Sequence, residues 1–86
     1  MQNKVTQTER QIFGEAYQFF ADHYSPPPAP SEAAMKWWLD TAADVIALDQ
    51  KWKGYPLMRS LLLAIYEDLD RKAKRAAKEA ANAVQE

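Results

Sequence analysis

The sequence predicts an all-α protein built as one domain over residues 1–86: a three-helix bundle in which helices two and three form an antiparallel hairpin and the C-terminal helix overhangs the rest. Three observations predict it. Apolar residues recur at three- and four-residue spacing along three long segments, the period of a helix that buries one face. A proline-rich run, Ser25-Pro26-Pro27-Pro28-Ala29-Pro30, separates the first segment from the second. Finally, Gly54-Tyr55-Pro56-Leu57 ends one helix and opens another within a few residues: glycine takes the left-handed conformation that closes a helix, and proline suits the first helical position, where no backbone donor is needed.

The first helix is expected over residues 6–24. Thr6-x-x-Glu9 and Thr8-x-x-Gln11 both fit a capping box, in which hydroxyl and acid or amide satisfy orphan backbone donors reciprocally. Ile12, Phe13, Ala16, Tyr17, Phe19, Phe20 and Tyr24 make one broad apolar face, opposite Arg10, Glu15 and Asp22. The lead-in, residues 1–8, reads as a frayed terminus without the apolar stretch of a signal peptide.

Residues 25–30 cannot continue a helix, because successive prolines lack donors and force their predecessors into extended geometry. They read as a stiff connector of nearly 20 Å, at about 3 Å per residue. No basic residue flanks the run, which favours a spacer over a ligand for aromatic grooves.

The second helix is expected over residues 31–53, with Ser31 as its N-cap. Its apparent stripe is Met35, Trp38, Leu39, Ala42, Val45, Ile46 and Trp52; Trp37 and Leu48 fall outside it, so that they either contact the first helix or are exposed. The third runs over residues 56–83, with Met58, Leu61, Leu62, Ile65, Tyr66 and Leu69 giving way to Ala73, Ala76, Ala80 and Ala83. Large side chains fill space among three helices, whereas alanine permits only close contact or sustains a helix by propensity. The expected core is Phe13, Tyr17, Phe20, Trp38, Val45, Ile46, Leu61, Leu62, Ile65 and Leu69.

Composition narrows the chemistry. Zero cysteines exclude disulfides, thiolate metal sites and thiol nucleophiles, which makes the cytoplasm the expected location. Two glycines leave no phosphate-cradling loop, and the single His23 sits where it most simply complements a helix C-terminus. No pairing of nucleophile with base is present, so no catalytic residue, cofactor, metal or small-molecule substrate is expected. Asp40 and Asp44 read as surface carboxylates, and Asp49, near the apparent stripe, as a structural acceptor from a tyrosine, tryptophan or lysine. No apolar run approaches the roughly 20 residues that cross a bilayer.

Two candidate surfaces remain. Trp37, Leu48, Leu57 and Leu63 are large apolar residues off the main stripes, which suggests a protein interface, either with a second copy or with a larger host protein. The alternative is nucleic-acid binding. Residues 1–70 hold six basic against ten acidic residues, net −4, while residues 71–86 hold five against two, net +3. Within that basic end, Arg71, Lys74, Arg75 and Lys78 share one side of the helix and would face phosphates. Against this, Glu67-Arg71, Asp68-Lys72 and Asp70-Lys74 are acid-before-base pairs at i,i+4, which stabilise a solvated helix.

Tyr17-x-Phe19-Phe20-x-x-x-Tyr24, the proline connector, Trp38, and Lys53-Gly54-Tyr55-Pro56-Leu57 followed by Leu61-Leu62-Leu63-Ala64-Ile65-Tyr66-x-x-Leu69 carry a resemblance over residues 12–70. On these residues the chain resembles small uncharacterised helical proteins of Gram-positive bacteria and their phages or mobile elements. The resemblance implies no catalytic residue. It implies a small accessory or inhibitory protein that works by binding a larger one.

Overall fold

The computed structural model describes residues 4–84, and among these three helices run up, down and up: α1 Gln7–Asp22, α2 Glu32–Lys51 and α3 Pro56–Val84. Residues 1–3 of the expected lead-in and the side chain of Ala83 lie outside the described part. Local chemistry sets each boundary. Thr6 caps α1, its hydroxyl accepting from the Glu9 amide at 3.1 Å while the Glu9 carboxylate accepts from the Thr6 amide at 2.9 Å. That same pair of bonds lowers the Glu9 pKa. Ser31 caps α2 through the Ala34 amide at 3.0 Å. Between α2 and α3 the chain turns at Gly54, with φ of +95°, and re-enters a helix at Pro56.

No atom outside the turn lies within 4 Å of a methyl group added at Gly54. Gly54→Ala therefore costs only backbone strain, about 1–2 kcal/mol. Chemical denaturation of the variant measures it, and coincident melts would show that the turn tolerates a side chain.

α3 packs against both α1 and α2, which approach each other less closely. The molecule is accordingly long and flat, 61 × 24 × 16 Å. Its core is a line of Ile12, Ala16 and Phe19 from α1 against Met58, Leu62 and Leu69 of α3, walled by Trp37, Trp38, Val45, Leu48, Trp52, Leu57, Leu61 and Ile65. Thr41 is fully buried beside it, its hydroxyl satisfied by donating to the Trp37 carbonyl one turn back at 2.7 Å.

The expected core needs correction at three positions. Phe13, Tyr17 and Ile46 are exposed, Tyr17 by 69%. Both amphipathic helices are rotated about their axes relative to the apparent stripes, α1 by about 60° given 3.6 residues per turn. α1 turns its Ile12-Ala16-Phe19 edge inward because that edge carries Glu15 and His23 to partners on α2. α2 turns Ala34, Thr41 and Leu48 inward because it must meet α1 on one side and α3 on the other. The overhang is also partly covered. The connector, in which Ala29-Pro30 is cis, folds beside Ala77, Ala80 and Ala81 and leaves an open groove of about 620 Å³ between them.

Candidate functional site

Rotation of α2 leaves a second apolar stripe on its outer side. Met35, Leu39, Ala42 and Ile46 follow a four-three-four spacing, the seam pattern by which helices pair. Met35 and Leu39 are 67% and 66% exposed, and Ile46 is exposed as well. α3 continues the surface with Leu63, 59% exposed, and Tyr66, whose ring lies 5.2 Å from that of Trp38.

Between the two helices a groove of about 390 Å³ is lined by Val45, Ile46, Leu62, Leu63 and Tyr66. Its turn-side end is closed by a bidentate ion pair in which Arg59 Nε and Nη2 donate to Asp49 at 3.1 and 2.9 Å. The guanidinium holds the Asp49 carboxyl below its ordinary range, and the carboxylate raises the Arg59 pKa in return. Asp49 is thus a structural acceptor, as expected, but its donor is an arginine on the next helix. The arrangement has no nucleophile or acid–base pair. What it offers is apolar area with a fixed charge pair at one end.

Polar contacts pin α1 to α2 on the other side of the molecule. Glu15 accepts from Lys51 Nζ on both oxygens at 2.9 Å, from Trp52 Nε1 at 3.0 Å and from Gln11 Nε2 at 3.0 Å. Chiefly through Lys51, then Trp52 and Gln11, its pKa falls from 4.5 to about 2. One helix turn or two further along, His23 Nε2 lies 2.9 Å from Asp44 and Nδ1 lies 2.7 Å from the Phe19 carbonyl oxygen. Asp44 is therefore a partner for α1 as well as a surface carboxylate. The intervening groove is lined by Glu15, Asp22, His23 and Asp44. Among the described residues no three His, Cys, Asp or Glu side chains are grouped to hold a metal ion.

Of the four interface residues singled out by sequence, the structure leaves Leu63 on the surface. Trp37, Leu48 and Leu57 are half-buried and packed against the core, which corrects their placement. Trp37 and Leu48 lie off the apparent stripe because the true inner stripe of α2 is centred on Thr41. Met35, Leu39 and Ile46, assigned to the interior by periodicity, are the exposed ones. The signal that separates them is their own four-three-four spacing, distinct from the inner set Ala34, Trp37, Trp38, Thr41, Val45, Leu48 and Trp52.

The basic segment is divided. Arg71 lies 3.5 Å from Asp68, Lys74 lies 3.0 Å from Asp70, and Arg75 and Lys78 are exposed. Lys72 turns inward, its ammonium 3.6 Å from the Tyr24 ring centroid, 4.5 Å from that of Phe20 and 3.3 Å from Asp68. Four cations along α3 are therefore not one uniform strip, since acids occupy two of them. No described helix is long and apolar enough to cross a membrane. No family model, curated protein or solved structure matches the chain.

Proposed function

We propose that the protein is a non-enzymatic helical module that works by binding another protein through the outer seam of α2 and the adjoining edge of α3. The observation that carries this reading is the exposed set Met35, Leu39, Ile46, Leu63 and Tyr66. Together these side chains present on the order of 500 Å² of accessible surface, near the upper end of what a soluble monomer shows as a single patch. The resemblance to small proteins of Gram-positive bacteria and mobile elements supports an accessory or inhibitory role for such a module.

The test immobilises the full chain and challenges it with bacterial extract to which a differently tagged copy of the same chain has been added. Wild type is expected to retain a protein, of either origin, that the double variant Leu39→Glu, Leu63→Glu loses. Retention of the same proteins by both would place the binding face elsewhere. Recovery of nucleic acid that disappears when Arg71, Lys74, Arg75 and Lys78 are changed to Ala would instead favour the basic face of α3.

A further inference from the structure

We infer that His23 is a pH-operated latch between α1 and α2: its ring ties the two helices together while both nitrogens are protonated and releases Asp44 when one proton leaves. The latch lies on the side of α2 away from the outer seam and does not depend on what binds there.

The hydrogen-bond partners of the ring fix its closed state. Nδ1 lies 2.7 Å from the Phe19 carbonyl oxygen, and Nε2 lies 2.9 Å from Asp44 Oδ2. A carbonyl oxygen and an ionised carboxylate only accept, so both ring nitrogens must donate, and only the imidazolium has two N–H groups. A neutral ring sets a lone pair against one of the two oxygens, and that contact must open.

Mobility decides which contact gives way. The ring is held between neighbours: its side chain is 14% exposed, with its centroid 4.4 Å from the Phe19 ring and 6.0 Å from the Trp37 ring. The Phe19 carbonyl is fixed in the last turn of α1. Asp44 is 56% exposed, so its carboxylate can swing into water at little cost. Losing the Phe19 bond would loosen one helix end, whereas losing the Asp44 bond unties α1 from α2.

The charges around the ring have the sign that attracts an imidazolium. Glu15 and Asp22 of α1 and Asp44 of α2 line the groove beside it, and the ring stands at the negative end of the α1 dipole. The neighbouring cations are engaged elsewhere, Lys51 of α2 with Glu15 and Lys72 of α3 with Asp68 and the Tyr24 carbonyl. Histidine ordinarily changes charge between about pH 5 and 8, so the latch is closed on the acid side of that range and open on the alkaline side. Glu15 responds in the opposite sense, since its bridge to Lys51 fails only as pH falls toward 2. The α1–α2 cleft is therefore fastened at both ends only in mild acid. Above neutrality it is held at the Glu15 end alone, and the end of α1 is freed to move off Trp37 and Leu48.

The chain has one histidine, so its ring nitrogens are read in nitrogen-15 spectra of the unmodified protein without ambiguity. Both should carry protons at about pH 5.5, and at about pH 8 the remaining proton should sit on Nδ1, the tautomer less common in free histidine. A proton kept on Nε2 at the higher pH would overturn the release of Asp44. The link itself is measured by urea denaturation of wild type, His23→Phe, Asp44→Asn and the double variant. His23→Phe keeps an aromatic ring beside Trp37 and removes both nitrogens. At about pH 5.5 the coupling between the two positions should raise the folding equilibrium constant about threefold to tenfold, and at about pH 8 it should fall below about 1.5-fold. Coupling that is absent at the lower pH, or equal at both, would overturn the latch.

Discussion

Leu69→Ala is expected to remove about 2–5 kcal/mol of folding stability, the range for emptying a fully buried leucine site. Leu69 and Met58 have no exposed surface, and both sit in α3 where it meets the other helices. A domain of 86 residues commands only about 4–13 kcal/mol in total. The variant should therefore lose a large fraction of its stability, with a urea midpoint shifted far below that of wild type. Tyr17→Ala supplies the contrast. Its ring is largely solvated, so truncation should cost less than about 1 kcal/mol, although the residue belongs to the broad apolar face of α1. Equal losses at the two positions would mean that α1 packs on its Phe13-Tyr17 edge after all.

Acid should weaken the protein through Glu15. Its folded pKa, about 2, lies below the ordinary 4.5, so the native state binds the proton less readily than the unfolded chain. The contribution is thus fully present above about pH 4.5 and is lost as pH falls toward 2. The depression would amount to roughly 3 kcal/mol with no screening. The carboxylate is a quarter exposed and Lys51 half exposed, so about 1–2 kcal/mol is the expected size. Glu15→Gln removes the titration. The stability difference between wild type and Glu15→Gln should shrink as pH is lowered from 4.5 to 2, and a difference constant across that window would disprove the bridge.

Fold class, helix count and connectivity are legible in the sequence because they are set locally. Thr6 with Glu9, Ser31, Gly54 and Pro56 each act within a few residues of themselves, and the helices begin and end within two residues of where those signals place them. Rotation of each helix is not local. α1 carries apolar residues around more than half its circumference, and α2 carries two stripes, so periodicity alone averages them into one. What selects the inward stripe lies 21 to 37 positions away in the chain, in His23 with Asp44 and Glu15 with Lys51 and Trp52. Thr41 escapes notice for another reason: a polar residue is expected outside, and only its bond to the Trp37 carbonyl reconciles it with full burial. The candidate site inherits the same difficulty. Leu63 is legible as surface because it stands off the stripe of α3, whereas Met35, Leu39 and Ile46 are hidden among interior positions until α2 is turned.

Those two stripes give α2 a near-degenerate choice of which side to bury, and hydrophobic area alone leaves a narrow energy gap between the alternatives. Burying Met35, Leu39 and Ile46 would satisfy transfer from water about as well as burying Trp37, Thr41 and Leu48. Yet that rotation would carry Lys51 and Trp52 away from Glu15, Asp44 away from His23, and Asp49 away from Arg59. Each such contact is modest as a source of stability, and their joint effect is on uniqueness. They penalise the competing packing and not merely the unfolded chain, so the polar residues of this bundle act as discriminators between folded states.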